Sequence, residues 1–495
     1  MRASGILLPI SSLPSKYGIG SFSKSAYEFV DQLKLAGQTY WQILPIGPTA
    51  FGDSPYQSVS TFAGNPYFID LDQLVEEGLL TKEECANTDF GNNPRYISYD
   101  RIYLSRFPIL RKAYNRSDCN LNKEFIDFTN DNAFWLDDYS LYMAIKDSYK
   151  GLSWVDWNYD IKFRKVKALQ EYKDRLHKNI EFYKYIQFLF SQQWRKLKKY
   201  ANDRGILIIG DIPIYVAFDS ADAWSNPELF QLDENLDPVA LSGCPPDGFS
   251  DDGQFWGNPL YRWDLHKDTK FEGWISRIEY CFKWYDFLRI DHFKGFDEYY
   301  SIPYGSESAS TGKWEQGPGF DFFEMVEGHL GKLNIMAEDL GHITDSVRAL
   351  LKRTGFPGMK VLEFAFDSKS EADSDYLPHN YDKNCIVYTG THDNRTIKDW
   401  IANIPKEDVD YVLNYVNKTE DDLEDINWIM IRLAQSSVAD FCIIPIQDYL
   451  GLEWDARINE PATIGSNWTW RLLEGEITED LINKIKDMTK LYGRN

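Results

Sequence analysis

Eight short apolar runs, separated by stretches of helical spacing, constrain this chain more than any other feature. They are Gly5 to Leu8, Tyr40 to Leu44, Ile206 to Gly210, Phe287 to Ile290, Ile335 to Ala337, Met359 to Glu363, Ile386 to Tyr388 and Phe441 to Ile444. Runs of this length read as strands buried on both faces, and the helical stretches between them make parallel βα units. Eight such units suit a closed (β/α)8 TIM barrel, a fold that reaches 495 residues when it carries insertions. Two junctions show the pattern well. Thr344 to Arg353 has helical apolar spacing and Gly355 follows as a C-cap; Ile180 to Asn202 is amphipathic and Gly205 ends it.

The units are unevenly spaced. More than a hundred residues separate the second and third runs, and part of this, about 71–173, is too long for a loop and is expected to be a mainly helical insertion. A second insertion, about 215–279, holds Pro245-Pro246-Asp247-Gly248 and the segment Gly253 to Pro259, whose glycines and prolines predict ordered loops. With no internal repeat or flexible linker, one barrel with excursions over its C-terminal face is expected.

Three acids stand at or just beyond the ends of predicted strands: Asp291, Glu338 and Asp393. Acids at the C-terminal ends of parallel strands describe the active-site face of a barrel. Paired carboxylates among many aromatic residues, with no metal-ligand cluster, point to sugar chemistry. In retaining glycoside chemistry one carboxylate attacks the anomeric carbon and another, about 5–5.5 Å away, protonates the leaving oxygen. Arg289 and Asp291 share a strand face, so Arg289 is placed to hold Asp291 ionised; a buried structural ion pair is the alternative. Glu338 is a candidate proton donor if burial raises its pKa, with a helix N-cap as the alternative; Asp339 would then point away. Asp393, in Thr391-His392-Asp393-Asn394, could hydrogen-bond sugar hydroxyls or simply shape a turn.

Composition excludes other classes. A net charge of −23 argues against nucleic acid and anionic membranes. Six scattered cysteines without a CxxC pair read as thiols in a reducing compartment, and the Met1-to-Pro9 stretch is too short for a signal peptide, so a cytoplasmic protein is expected. The sequence has no P-loop, dinucleotide fingerprint, HExxH motif or G-x-S-x-G elbow. Aromatics form 16% of the chain, and composition alone assigns them to the core before it assigns them to sugar platforms.

Taken in order, the motifs resemble the amylomaltases, or 4-α-glucanotransferases, relatives of the α-amylase superfamily. They run from Gly5-Ile6-Leu7-Leu8-Pro9 and Ser54-Pro55-Tyr56-Gln57-Ser58 through Gly210-Asp211-Ile212-Pro213 and Gly253 to Tyr261. Arg289-Ile290-Asp291-His292, Ala337-Glu338-Asp339-Leu340-Gly341, Thr391-His392-Asp393-Asn394 and Asn467-Trp468 complete the series. The resemblance implies that Asp291 is the nucleophile, Glu338 the general acid/base and Asp393 the transition-state stabiliser. It implies that Tyr56, Asp211, Arg289, His292, His392 and Asn467 line the donor-sugar site, that Gln254 and Trp256 cover bound glucan, and that Asp367 is a further contact. It also implies α-1,4-glucan substrates and no cofactor. Gly248 stands where many relatives carry Tyr, and Ser242 and Cys244 vary in the same loop. Because the first barrel run opens the chain, a starch-binding appendage of the kind some longer relatives carry is not expected.

Overall fold

The computed structural model describes residues 2–50, 52–246, 253–341, 343–369 and 374–495. Eight of its strands form one parallel sheet: β1 (Ala3–Leu7), β2 (Tyr40–Gln42), β3 (Leu207–Pro213), β6 (Phe287–Asp291), β9 (Ile335–Ala337), β10 (Gly358–Val361), β11 (Cys385–Tyr388) and β12 (Phe441–Pro445). Their order is β10-β11-β12-β1-β2-β3-β6-β9, and every pairing is parallel. The two ends of this order meet where Ala337 N donates to Pro357 O at 3.0 Å, beside the start of β10. Each of the eight apolar runs has become one barrel strand. Tyr40, Ile209, Met336, Met359, Ile386 and Ile443 pack together as a cluster separate from the main core, and Tyr388 Oη donates to Gln42 Oε1 at 2.9 Å.

Helix ends follow the local chemistry. The helix Asp345–Thr354 is capped by the Thr344 side chain, which accepts from Val347 N, and Gly355 closes it in the left-handed conformation at φ +70°. The helix Val166–Asp203 is longer than its sequence pattern indicated: 38 residues, or about 57 Å at 1.5 Å per residue. It starts inside the stretch expected as an insertion, so its first two turns carry the helix back to Val166, within that stretch. Residues 71–165 between β2 and this helix are built mainly of helices, the longest being Tyr99–Arg116 and Ala133–Ser148. Two glutamines of the long helix fix the loop after β2. Gln187 exchanges two hydrogen bonds of 2.8 Å with the backbone of Gly64, and Gln193 bridges the N–H and carbonyl of Asp70.

The segment after β3 holds more regular structure than its glycines and prolines predicted. Strands β4 (Ala240–Cys244) and β5 (Gln254–Pro259) join β7 (Glu298–Pro303) and β8 (Lys313–Gln316) in an antiparallel sheet of order β5-β4-β7-β8. Half of this sheet comes from beyond residue 279. Asp247-Gly248, with the Tyr-to-Gly departure, lies outside the described residues, while Ser242 and Cys244 are on β4.

Candidate active site

Strand register assembles the site. Asp211 on β3 is paired with Arg289 on β6, and Asp291 lies two residues further along the same face of β6. Ile290 pairs with Ala337 of β9, so the next step of that register brings Asp291 level with Glu338. Neighbouring strands lie about 4.8 Å apart, which fixes the two acids at adjacent strand ends.

Arg289 is 3% exposed and Asp211 2% exposed. The guanidinium Nη1 donates to Asp211 Oδ2 at 2.6 Å and to Asp291 Oδ1 at 3.0 Å. Tyr56 Oη adds a 2.8 Å hydrogen bond to Asp211 Oδ2. Burial pushes both Asp211 and Asp291 up to about 6 against the pull of Arg289; nearby Glu338 and Asp393 add to the rise of Asp291. The ion pair expected from the sequence is therefore present, but it moderates the cost of burial without cancelling it. At neutral pH Asp291 is still mainly ionised.

Glu338 is not a helix N-cap. Its Oε2 accepts from His292 N at 2.7 Å and its Oε1 from Leu340 N at 2.9 Å. The His292 bond depends on a left-handed residue at φ +53° directly after Asp291, a conformation that costs a β-carbon residue roughly 1–2 kcal/mol. Burial raises the Glu338 carboxyl, opposed by Arg289 and by the two backbone donors. Asp339 points the other way, as strand alternation requires, and accepts from Met359 N at 2.6 Å across the closing seam of the barrel.

Asp393 is held from three sides. Asn459 Nδ2 donates to Oδ1 at 2.6 Å, His392 Nε2 lies 3.2 Å from Oδ2, and Arg457 donates to the Asp393 carbonyl at 3.0 Å. Burial opposes ionisation here, but His392, Asn459 and Arg289 outweigh it and hold the carboxyl at about 2. Aromatic rings frame the acids. Tyr56 stacks on His392 with centroids 5.3 Å apart, and Trp468 lies 5.9 Å from each. On the other side Trp256 meets His292 edge-on at 4.8 Å. Trp256 Nε1 donates to Gln254 Oε1 at 3.2 Å, and Gln57 donates to the Trp256 carbonyl at 3.1 Å. Burial drops His292 to about 4, so its ring is neutral at pH 7, and its buried Nε2 has no partner among the described residues.

Tyr56, Asp211, Arg289, His292 and His392 thus gather around the three acids. Asp367 is exposed and accepts from Lys369 N at 2.9 Å in a local turn. The Asn467 amide staples its own loop, accepting from Glu460 N at 3.0 Å and donating to Thr463 O at 3.0 Å. Asn459 and Arg457 join the site without any sequence signal, since neither sits in an acid-bearing motif. Trp468 stood in a recognisable motif but carried no assigned role. The arrangement offers two neighbouring carboxyls, both raised by burial and both tempered by Arg289, plus a third, firmly ionised acid. Surplus negative charge of this kind stabilises a cationic sugar transition state.

A sequence model of a family described as 4-alpha-glucanotransferase matches residues 8–476. The 4-alpha-glucanotransferase of Clostridium butyricum is 50% identical over 98% of this chain and 99% of its own length. That of Streptococcus pneumoniae serotype 4 is 47% identical, over 100% of this chain and 97% of its own. Among solved structures, the amylomaltase from Streptococcus agalactiae in complex with acarbose superposes with a TM-score of 0.97 at 42% identity, covering 100% of both chains.

Proposed function

We propose a mechanism from one premise: this chain belongs to the 4-alpha-glucanotransferase family, and it is a glycosyl-transferring enzyme of that type. Its substrates are α-1,4-glucans. Asp291 attacks the anomeric carbon of the donor sugar as Glu338 protonates the departing glycosidic oxygen. The products of this step are a covalent glycosyl-enzyme ester and a shortened glucan. The 4-hydroxyl of a second glucan then attacks the same carbon, Glu338 takes its proton, and the Asp291 carboxylate is released. Two displacements retain the anomeric configuration.

The observation that carries this reading is the β6–β9 register, which puts an Asp291 paired with Arg289 level with Glu338, whose side-chain oxygens accept from backbone N–H groups. A spacing of one strand fits the separation of about 5–5.5 Å that a retaining pair needs. Asp393, ionised and anchored by Asn459, supplies the charge that binds hydroxyls and favours a flattened ring. Tyr56, Asp211, Arg289, His292 and His392 bind the donor sugar, and Gln254 and Trp256 cover the glucan. We place Asp367 and Asn467 at its outer edge, Asn467 by holding its loop in shape. The insertions at about 71–173 and 215–279 leave the barrel after the C-terminal ends of β2 and β3, on the face that carries the acids, and wall the cleft. Among the described residues no helix is long and apolar enough to cross a membrane. Buried thiols at Cys85, Cys119, Cys281, Cys385 and Cys442 fit a reducing compartment, and we assign the enzyme to maltodextrin metabolism in the cytoplasm.

Incubation with maltotriose and separation of the products by chain length tests the reading. Glucose with a ladder of longer maltooligosaccharides is expected; glucose and maltose alone would make the protein a hydrolase.

A further inference from the structure

Glu363, a half-buried acid, lies outside the chemistry just described. It sits in the turn after β10, and its backbone N–H donates to Thr389 O at 3.3 Å. Its Oε1 is buried with no partner among the described residues. Its Oε2 accepts from Asn394 Nδ2 at 3.4 Å. The carboxyl occupies space that Gly390 leaves open: a β-carbon at Gly390 would stand 2.5 Å from Glu363 Oε1 and 3.1 Å from the Asn394 β-carbon. The fold therefore keeps a gap beneath the turn that carries His392 and Asp393 and fills it with an acid.

Asn394 connects that acid to the turn. Its Oδ1 accepts from Thr391 N at 3.0 Å and from Thr391 Oγ1 at 2.8 Å, so its Nδ2 is aimed at Glu363. Thr391 Oγ1 in turn accepts from Asp393 N at 3.2 Å. A continuous set of hydrogen bonds thus runs from Glu363 through Asn394 and Thr391 to the backbone of Asp393.

We propose that Glu363 is a positioning residue for Asp393, acting through the amide of Asn394 and the 391–394 turn. The inference rests on the role given to Asp393 above. The charge balance supports it: burial, reinforced by the negative charge of Asp448, pushes the Glu363 carboxyl well above the usual range, opposed by Arg457 and Asn394. Asp448 itself accepts from Thr389 Oγ1 at 2.5 Å and Ile397 N at 2.9 Å, a donor set that suits a carboxylate. Glu363 has one long donor and an orphaned oxygen, which suits the neutral acid. A neutral acid orients the Asn394 amide without placing a further charge behind Asp393.

The role requires the shape and acceptor of Glu363 but not its charge. Glu363→Gln should keep kcat for maltotriose disproportionation within about threefold, while Glu363→Ala should lower kcat about tenfold or more with KM changed less than about twofold. Coupling provides the decisive readout. In an Asp393→Asn background, adding Glu363→Ala should change kcat less than about twofold, because the group it positions is already lost. Equal loss in both backgrounds would overturn the proposal, as would a Glu363→Gln enzyme as slow as Glu363→Ala. If Glu363→Ala does not fold, as judged by circular dichroism and melting, Gly390→Ala displaces the carboxyl with Glu363 present. That variant should show the same kcat loss and the same absence of further loss beside Asp393→Asn; unchanged kcat would overturn the proposal. Failure of the underlying reading is distinguishable, since Asp393→Asn alone would then leave kcat intact.

Discussion

Replacing Arg289 with Met removes the guanidinium that Asp211 and Asp291 share at 2.6 and 3.0 Å, while keeping a long apolar stem in its place. An opposite charge this close lowers a carboxyl by about 1–3 units. Losing it lifts Asp291 from about 6 to roughly 8, and the freed charge of Asp211 pushes in the same direction. At pH 7 the ionised fraction of Asp291, the proposed nucleophile, then falls from about nine-tenths to about one-tenth, a rate loss of about tenfold from ionisation alone. The sign is definite: the active form is the carboxylate, so activity is lost below its pKa and recovered above it. The assay is kcat/KM for maltotriose between pH 5 and 9, read alongside thermal melting. For the native enzyme the acid limb should fall near pH 6, and for Arg289→Met near pH 8, with rate returning as the pH rises. Adding Asp211→Asn should move the limb back toward acid, because it removes one of the two like charges. A variant that loses activity at every pH while its acid limb stays near 6 would refute the reasoning and assign Arg289 to sugar binding alone.

Trp256→Ala should raise hydrolysis relative to transfer, because it removes the ring that meets His292 edge-on and that we propose as the cover of the glycosyl-enzyme; the ratio of released glucose to longer oligosaccharides reads it, and an unchanged ratio would remove this role. Asn459→Ala takes away the 2.6 Å donor to Asp393. Hydrogen bonds to charged groups contribute about 1.5–3 kcal/mol, so a kcat loss of about tenfold to a hundredfold is expected with little change in melting temperature. A kcat within about twofold of native would show that His392 alone suffices to hold Asp393.

The barrel was legible because its strands are buried on both faces. Runs such as Ile335-Met336-Ala337 and Cys385-Ile386-Val387-Tyr388 have little to alternate, and each is bounded by turns or helices of clear period. The three acids stand out in the sequence for a related reason, since a carboxylate ending such a run needs a purpose. The antiparallel sheet was hidden. Lys313–Gln316 is largely exposed and reads as polar chain, and Gln254–Pro259 is rich in residues that signal loops; only pairing with distant partners makes them strands. The start of the long helix at Val166 leaves little trace in the sequence, because its first three turns bury little. Side chains that position others left the least trace. Asn459 and Arg457 reach Asp393 from 64 to 66 residues away in a loop with no periodic signal. The burial that raises Asp291 despite its arginine is likewise a property of the packed barrel, which a motif of four residues cannot express.

The most direct test of the mechanism is to trap the covalent intermediate. Glu338→Gln removes the group that the second step needs as a base, and a maltotriosyl fluoride donor lets the first displacement proceed without an acid, because fluoride leaves without protonation as the carboxylate attacks. Intact-protein mass spectrometry should then show one added maltotriosyl group, and peptide mapping should place it on Asp291. An adduct on Asp211 or Asp393, or none while fluoride is still released, would contradict the assignment of Asp291 as the nucleophile.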